Sequence, residues 1–390
     1  MIKFIKKKIK IAVGLMSGTS LDGVDVAIIQ ISGNGKNSKI KKIGFQFFPY
    51  SQKFTNFVLK NSNSNTAKLD EISSLNFLFA KIFSNCVKKT LKKFNIENSQ
   101  VDFIGSHGQT IQHIPNGKKI LNSNVNSTFQ IGDPSVIAKL TSILTVGDFR
   151  VSDVALNGSG APLVPYFDYC FFSSQKKNRM LLNIGGIANI TLLPKNCNEK
   201  NIIAFDTGCG NMMVDLLVNK FYNKSFDKDG TIASRGNINY DLLNLMQEHS
   251  YFKKAIPKST GREKFGETFV EKILYHSKKI KREDIVTTAT YFTVWGIYFH
   301  IHKFISNKNF PEEIIISGGG SHNKTMMKFL SQIFPNSKIF PIDKFGISAN
   351  EKEAIAFAFL ANETLSNIAS NIPSVTKARK STTLGKICLP

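Results

Sequence analysis

The pattern of apolar and polar residues predicts that the chain opens with a hairpin. The apolar run over 11–17 predicts a buried strand, and the alternation around Asp25 predicts a second strand over 24–30. A short turn, Gly18-Thr19-Ser20-Leu21-Asp22-Gly23, joins them. This strand–turn–strand order differs from the strand–loop–helix order of P-loop and dinucleotide-binding proteins, and neither GxxxxGK[ST] nor GxGxxG after a strand occurs.

Helices and further strands follow the hairpin. Residues 52–98 contain no Gly or Pro, and their apolar spacing predicts two helices broken near 61–66. The remaining predicted elements of this half are a strand over 101–105, a helix over 135–141 and a strand over 143–146.

A second series starts with the same strand–turn–strand order, at 179–184 and 187–193. Its further predicted strands are 202–205, 313–316 and 338–341, and its predicted helices are 212–221, 267–280, 284–306 and 350–365. The repeated order predicts an α/β protein with two domains. We place the first domain at 1–155 with a returning segment at about 365–390, and the second at 156–364.

Composition and charge narrow the function classes. The 390 residues are 42% hydrophobic and 20% charged, as in a globular protein. The formal net charge of +23 raises the question of a nucleic-acid partner. The lysines are scattered, however, and no basic stretch alternates with aromatic residues, so we predict no nucleic-acid partner.

The Lys-rich segment 1–10 is the one dense basic run, and we interpret it as a solvated tail. It is too short for a membrane span and lacks the apolar stretch of a signal peptide. Five cysteines without a CxxC pair indicate neither a disulfide framework nor a zinc site. We therefore expect a cytoplasmic protein without a membrane partner.

The first hairpin turn is the strongest chemical motif. A turn rich in Gly, Ser and Thr presents backbone N–H groups and hydroxyls to an anion, and such a nest suits phosphate oxygens. Asp22 would reach a magnesium ion through a bridging water. The candidate phosphate-binding residues are Gly18, Thr19, Ser20, Leu21, Asp22, Gly23, Val24 and Asp25.

Two further Gly-rich turns follow strands of the second half. In Asp206-Thr207-Gly208-Cys209-Gly210-Asn211, the glycines Gly208 and Gly210 and the helix beginning at Asn211 offer a second anion site. Asp206 beside it can take a proton from an attacking oxygen. Gly318, Gly319 and Gly320 leave room for a flat ligand such as adenine or ribose. The alternative for the first turn is an N-cap Asp with structural glycines, and the alternative for the second is a crowded strand-to-helix turn.

Polar residues after strands of the first half are candidates for substrate contacts. Arg150 could hold a carboxylate with two hydrogen bonds. His107 and Gln109 could bond sugar hydroxyls or an amide, and Asp153 lies in the same cluster as Arg150. Satisfied turns or contacts between domains are the alternative. We interpret the stretch 257–263, Pro-Lys-Ser-Thr-Gly-Arg-Glu, as an exposed polar loop at an interface or lid.

Together these motifs resemble the anhydro-N-acetylmuramic acid kinase family. The matching segments are GLMSGTSLDGVD at 14–25, SHGQT at 106–110, GDFR through GAPLVP at 147–165, NIGGIANIT at 183–191, FDTGCGN at 205–211, PKSTGRE at 257–263, SGGGSHN at 317–323 and the helix segment at 345–361. They follow the family order over nearly the whole chain. The sequence departs from the family pattern at Cys209, where Pro is usual, and at 157–159.

The resemblance implies two actin-like (ribonuclease H-like) domains flanking a cleft for ATP and sugar. It implies that ATP, with Mg, phosphorylates the 6-oxygen of 1,6-anhydro-N-acetylmuramic acid while water opens the anhydro bridge. By position, Asp206 would be the general base, the turns at 18–25 and 208–211 would hold the ATP phosphates, and Glu353 would face the sugar. We also expect a homodimer.

Two alternatives stay open at this point. One is a kinase for another N-acetylated hexose, without ring opening. The other is a non-catalytic actin-like ATPase, which the candidate sugar contacts His107, Gln109 and Arg150 disfavour.

Overall fold

The computed structural model describes residues 7–390, and it divides into two compact α/β units with one β-sheet each. The first unit runs to Phe171 and resumes over Asn350–Pro390, and the second comprises Phe172–Ala349. No helix within 7–390 is long and apolar enough to cross a membrane.

The first unit contains seven strands and most of its helices lie between them in sequence. Its strands are β1 (Lys10–Ser17), β2 (Gly23–Ser32), β3 (Lys39–Pro49), β4 (Phe103–Ile120), β5 (Ser123–Ile131), β6 (Thr145–Gly147) and β12 (Lys386–Cys388). Its helices are α1 (Gln52–Ser62), α2 (Leu69–Lys93), α3 (Pro134–Thr141), α4 (Val151–Ala155), α5 (Val164–Phe172, which ends at the boundary), α12 (Lys352–Leu365) and α13 (Pro373–Thr376).

The second unit is built in the same way around five strands. These are β7 (Arg179–Ile184), β8 (Ile187–Leu193), β9 (Ile203–Cys209), β10 (Glu313–Ser317) and β11 (Lys338–Pro341). Its helices are α6 (Asn211–Tyr222), α7 (Tyr240–Gln247), α8 (Arg262–Phe265), α9 (Glu267–His276), α10 (Arg282–Phe304) and α11 (Lys324–Ile333), and a short 3-10 helix covers Gly319–His322.

Both sheets share one topology. The first has the order β12-β6-β4-β1-β2-β3, with β5 paired to β4, and the second has the order β11-β10-β7-β8-β9. In each, the opening strand is antiparallel to the second strand, the second is antiparallel to the third, and the opening strand is parallel to the fourth. The predicted pair of α/β domains, each opening with a hairpin, is confirmed.

Helix α12 packs on the first sheet through small residues. A Cβ atom added to Gly14 of β1 would overlap the carbonyl oxygen of Ala354, and one added to Gly105 of β4 would overlap that of Phe357. Only glycine at both strand positions allows the helix backbone to lie this close. The contact buries nearly every residue of α12.

Because α12 packs on the first sheet, the observed domain boundaries differ from the predicted ones at 155 and 365. The aromatic residues of α5 also belong with α12, because the rings of Tyr166, Phe167 and Phe171 lie 5.1–5.8 Å from the ring of Phe359. The first unit therefore gains residues 156–171 and 350–364 relative to the prediction.

Several elements were absent from the predicted set. The pattern did not predict β3, the long β4–β5 hairpin, α5 or β12. Polar residues dominate β5, β12 has only three residues, and α5 is apolar apart from Asp168 and its tyrosines, so it shows no helical alternation. The helix predicted over 267–280 ends at His276, after the separate short helix α8.

Part of the segment predicted as a solvated tail is bound to the first unit instead. Residues 1–6 of it lie outside the described residues. Lys7 forms an ion pair of 2.7 Å with Asp102, and Lys10 begins β1 with only 6% of its surface exposed. Its ammonium group donates a hydrogen bond of 2.8 Å to Asn362 of α12.

Replacement of Gly14 by Ala is expected to destabilise the first unit. The added methyl must displace α12, and overpacking of this kind costs ~1–3 kcal/mol or more. A urea or thermal denaturation series would measure it. Gly296→Ala in α10 is the matched control, because its nearest atoms are 3.4 Å away and Ala favours a helix. Equal stability of the two variants would contradict the proposed packing constraint.

Candidate active site

The turn between β1 and β2 stands on a chain of buried polar groups. The Ser17 hydroxyl accepts a hydrogen bond of 2.8 Å from Tyr50 and donates one of 2.6 Å to Oε1 of Gln109. The Gln109 amide then donates to the carbonyl of Gly18 at 3.2 Å. Leu21, at a φ of 56°, turns its side chain into the core. The turn is thereby fixed from below, and its outer groups face solvent.

Thr19, Ser20 and Asp22 are those exposed groups. The Ser20 hydroxyl donates a hydrogen bond of 2.8 Å to the Asp22 carboxylate. Hydroxyls on a rigid turn flanked by glycines can donate hydrogen bonds to phosphate oxygens, and a carboxylate on it can bind a hydrated cation. The structure thus gives the predicted phosphate turn a suitable shape, and its ligand stays a prediction.

Two further carboxylates, those of Asp25 and Glu353, lie near Asp22 and add to the negative charge there. Burial, followed by the charges of Asp22 and Glu353, raises the pKa of Asp25 to about 7. Partial desolvation by the surrounding protein also raises the pKa of Glu353, against the attraction of Lys352 and Arg150. Glu353 stands in the first turn of α12, and its side chain still reaches solvent. Such mutual repulsion favours a cation at this place.

A magnesium ion fits this arrangement only with help from other ligands. Within residues 7–390, no group of three or more His, Cys, Asp or Glu side chains could hold a metal ion by itself. Mg²⁺ is commonly held by one or two carboxylates together with waters and substrate phosphates. Asp22, which is exposed and close enough to Asp25 to raise its pKa, suits such a partial site.

Arg150 is held in place by His107. Its Nε and Nη2 atoms donate to Nε2 of His107 at 3.1 and 2.8 Å, and Nη1 donates to the carbonyl of Gly160 at 2.9 Å. Nδ1 of His107 donates in turn to the carbonyl of Gly108 at 2.8 Å. Burial and the charge of Arg150 lower the pKa of His107 to about 3, so the ring is neutral and can accept.

The predicted substrate residues therefore differ in what they can reach. Arg150 keeps N–H groups beyond those three bonds, since a guanidinium carries five. Both ring nitrogens of His107 are occupied, so it acts through Arg150. Gln109 is 1% exposed and supports the turn. Asp153 is fully buried and accepts hydrogen bonds of 2.7 Å from Gly160, Asn371 and Thr376, so it braces the loop rather than facing a ligand.

In the second unit, a β-bulge places Asp206. Strand β9 pairs Asp206 with Asn189 and Gly208 with Ala188, so that Thr207 has no partner in the ladder. A bulge bends a strand and redirects its side chains, and bulges are frequent beside active sites. Asp206 remains half-buried.

The Asp206 carboxylate carries a pKa suited to proton transfer. This pKa is raised to about 7, chiefly by burial and in smaller part by the charge of Glu263. The N–H of Thr260, which donates to Oδ2 at 2.9 Å, opposes this rise. A carboxylate with a pKa near neutrality is an effective general base.

The predicted second phosphate turn is closed by protein contacts. The N–H groups of Gly210, Asn211 and Met212 donate to the carbonyls of Gly185 and Gly186 at 2.8–3.3 Å. The start of α6 is thereby joined to the β7–β8 turn. These amides are therefore used within the protein, although the positive end of the α6 dipole still points at the turn.

A cavity of about 350 Å³ adjoins this turn within the second unit. Its lining includes Asn211 and Gly319, two of the predicted nucleotide contacts, and the exposed ring of Phe226. Burial and the charge of Asp227 raise the pKa of Asp215, another lining residue, to about 7. An aromatic ring, a carboxylate and a glycine surface are suited to a nucleoside.

Sequence reasoning missed two parts of this site. Phe226 and Asp215 belong to no motif and no pattern marks them. The loop 257–263 was marked by its sequence, but it differs from the exposed loop that was predicted. Lys258 and Thr260 are half-buried, and both bond to Asp206.

Comparison with known proteins shows to which family this chain is related. Residues 10–390 match the family described as anhydro-N-acetylmuramic acid kinase. A protein of that name from Clostridioides difficile (strain 630) is 43% identical over 376 residues, which cover 96% of this chain and 97% of that protein. Another, from Caldanaerobacter subterraneus subsp. tengcongensis, is 39% identical over 393 residues, covering 100% of this chain and 99% of the relative.

Among solved structures, component A of (R)-2-hydroxyglutaryl-CoA dehydratase from Acidaminococcus fermentans aligns with 92% of this chain and 99% of its own, at 11% identity and a TM-score of 0.46. The match to the family extends from Lys10, the first residue of β1, to the last residue of the chain. It therefore includes the turn at Asp22, the bulge at Asp206 and the helix that carries Glu353. The chain belongs to the anhydro-N-acetylmuramic acid kinase family.

Proposed function

We propose that this protein uses ATP to phosphorylate 1,6-anhydro-N-acetylmuramic acid with hydrolytic opening of the anhydro ring. The products are N-acetylmuramic acid 6-phosphate and ADP. Family membership over 10–390 supports the substrate. The observation that carries the chemistry is the Asp206 carboxylate, half-buried, hydrogen-bonded at one oxygen and with a pKa raised to about 7.

The proposed reaction starts with Asp206. Its carboxylate takes a proton from water as the water oxygen attacks the anomeric carbon. The bond from that carbon to the bridging oxygen breaks, and this oxygen attacks the terminal phosphorus of ATP, from which ADP leaves. One carboxylate of suitable pKa supplies the only proton transfer that the step requires. Positioning and charge stabilisation supply the rest.

ATP is proposed to contact two groups of residues. The exposed turn Gly18–Asp22 meets phosphate oxygens with hydroxyls and backbone N–H groups. In the second unit, the glycines 318–320 and the cavity beside Asn211 take the nucleoside, with its base against Phe226. Mg²⁺ would be held through Asp22 and water, and would neutralise phosphate charge when bound.

Arg150 is the proposed contact to the sugar's carboxylate. Its remaining N–H groups can form charge-assisted hydrogen bonds with the lactyl carboxylate of a muramic acid. His107 fixes the guanidinium, and Glu353, exposed at the start of α12, is proposed to accept hydrogen bonds from the sugar. A homodimer, which rests on the family resemblance, and a cytoplasmic location, which rests on the sequence pattern, complete the proposal.

Asp206→Asn is expected to lower turnover by at least ~10²-fold, because the loss of a general base costs ~10²–10⁴-fold. Nucleotide binding, measured by calorimetry, should stay within about threefold. Asp241→Asn, on the exposed start of α7, is the matched control and should keep full turnover. An active Asp206→Asn enzyme would remove Asp206 from the mechanism.

Phe226→Ala is expected to raise KM for ATP ~10-fold with little change in kcat, since stacking of a base on an aromatic ring contributes ~1–3 kcal/mol. Steady-state kinetics with varied ATP would show this. Tyr275→Ala, an equally exposed ring on α9, is the control. An unchanged KM would place the nucleoside elsewhere.

Isotope labelling tests the function itself. In heavy-oxygen water, the label is expected at the anomeric hydroxyl, analysed before it exchanges, while the phosphate group stays unlabelled. A phosphorylated sugar with an intact ring, or phosphorylation of free amino sugars alone, would favour an ordinary hexose kinase. Label in free inorganic phosphate without sugar turnover would favour an actin-like ATPase.

A further inference from the structure

The loop Pro257–Gly261 holds Asp206 at several atoms. The N–H of Asp206 donates to the carbonyl of Lys258 at 3.0 Å, and the N–H of Thr260 donates to its carboxylate at 2.9 Å. On the other side, the Tyr251 hydroxyl donates to the carbonyl of Asp206 at 2.6 Å. The loop and Tyr251 therefore fix the backbone and the carboxylate of Asp206, on strand β9 at the edge of its sheet.

The loop is itself anchored through a lysine. The Lys258 ammonium donates to the carbonyls of Tyr251 and Lys254 at 2.9 and 3.0 Å, and lies 4.4 Å from the centre of the Tyr251 ring. Burial, with the charges of Lys303 and Lys254, lowers its pKa to about 8. This half-buried cation ties the loop at Lys258 to the segment 251–254.

Thr260 has one more unusual feature. Its hydroxyl is buried and has no hydrogen-bond partner within the described chain, although its backbone N–H is bonded to Asp206. A buried polar group without a partner costs ~1–3 kcal/mol. Such groups are usually explained by a water or ligand that completes them, and the attacking water beside Asp206 is a suitable partner.

We propose that the loop Pro257–Gly261, through the N–H of Thr260, is the positioning element of Asp206: it fixes the direction of the carboxylate and keeps it ionised for proton abstraction. This inference rests on the proposed function. It assigns Thr260 and Lys258 as positioning residues, and Glu263 in α8 as the opposing charge.

Direct titration of Asp206 provides the test. Within its unit, Glu263 is the charged group that acts on this carboxylate, and the carboxylate in turn raises the pKa of Tyr251, on whose ring Lys258 is stacked. Carbon-13 NMR of the aspartate carboxyls gives the pKa in the unliganded protein, and the resonance missing from Asp206→Asn identifies Asp206. The wild-type midpoint is expected near 7, with activity lost as pH falls through it.

Three variants separate the contributions. Thr260→Pro removes the N–H and is expected to raise the Asp206 pKa by ~1 unit or more, since a hydrogen bond to the charged form favours that form. At pH 7 this lowers activity about fivefold, and raising the pH to 9 restores it. Thr260→Val keeps the N–H and should leave the pKa within about 0.3 unit. Glu263→Gln should lower it.

The outcomes decide between the two claims. An unmoved Asp206 pKa in Thr260→Pro, or an activity loss that high pH does not restore, would overturn the positioning role. If Thr260→Pro does not fold, Glu263→Gln decides, because it leaves the backbone unchanged, and a pKa that does not fall would overturn the assignment. If the pKa values move as expected while Asp206→Asn stays active, the proposed general base fails and the positioning contact stands.

Discussion

The close contact between helix α12 and the first sheet is the constraint on which the first unit depends. The backbone of α12 touches β1 and β4 at Gly14 and Gly105, where a side chain of any size would overlap a helix carbonyl. Apolar burial favours such contact in general, but this distance needs glycine on the strands and small residues on the helix, such as Ala354 and Ala358. The helix then has one position and one rotation.

The fixed position of α12 also determines where the charged residues at its start lie. Its first turn holds Glu353 near Asp25 and Arg150, while Lys352 pairs with Asp168 at 2.7 Å and Glu351 with Lys42 at 3.0 Å. Because both of these ion pairs have largely buried carboxylates, they resist solvent better than surface pairs. The position of Glu353 is thus a consequence of the packing that begins at its neighbour Ala354 and continues at Phe357.

The second unit holds the carboxylate of Asp206, the proposed general base, through other contacts. Here a β-bulge at Thr207 interrupts β9, the edge strand of its sheet, and the loop 257–261 bonds to the backbone and the carboxylate of Asp206. Burial dominates the pKa of both Asp25 and Asp206 and raises each to about 7. A backbone N–H lowers the pKa of Asp206 and so opposes the effect of burial, whereas the neighbouring carboxylates of Asp25 raise its pKa further. Although both pKa values are raised to about 7, the surroundings of Asp206 suit the proposed proton transfer, and those of Asp25 suit a nearby cation.

The sequence by itself determined the repeated strand–turn–strand order, the glycine-rich turns and the placement of Asp22, Asp206 and Glu353 in motifs, because turns and buried strands leave local patterns. It predicted neither the strands β3, β5 and β12 nor the boundary that assigns α12 to the first unit; β5 is rich in polar residues and β12 has only three residues. Only the tertiary structure decided that His107 supports Arg150, that Asp153 is buried, and that Thr260 bonds to Asp206. The partners in these contacts lie 7 to 223 residues apart in the chain, and which of them meet depends on how the elements pack, which no local pattern encodes.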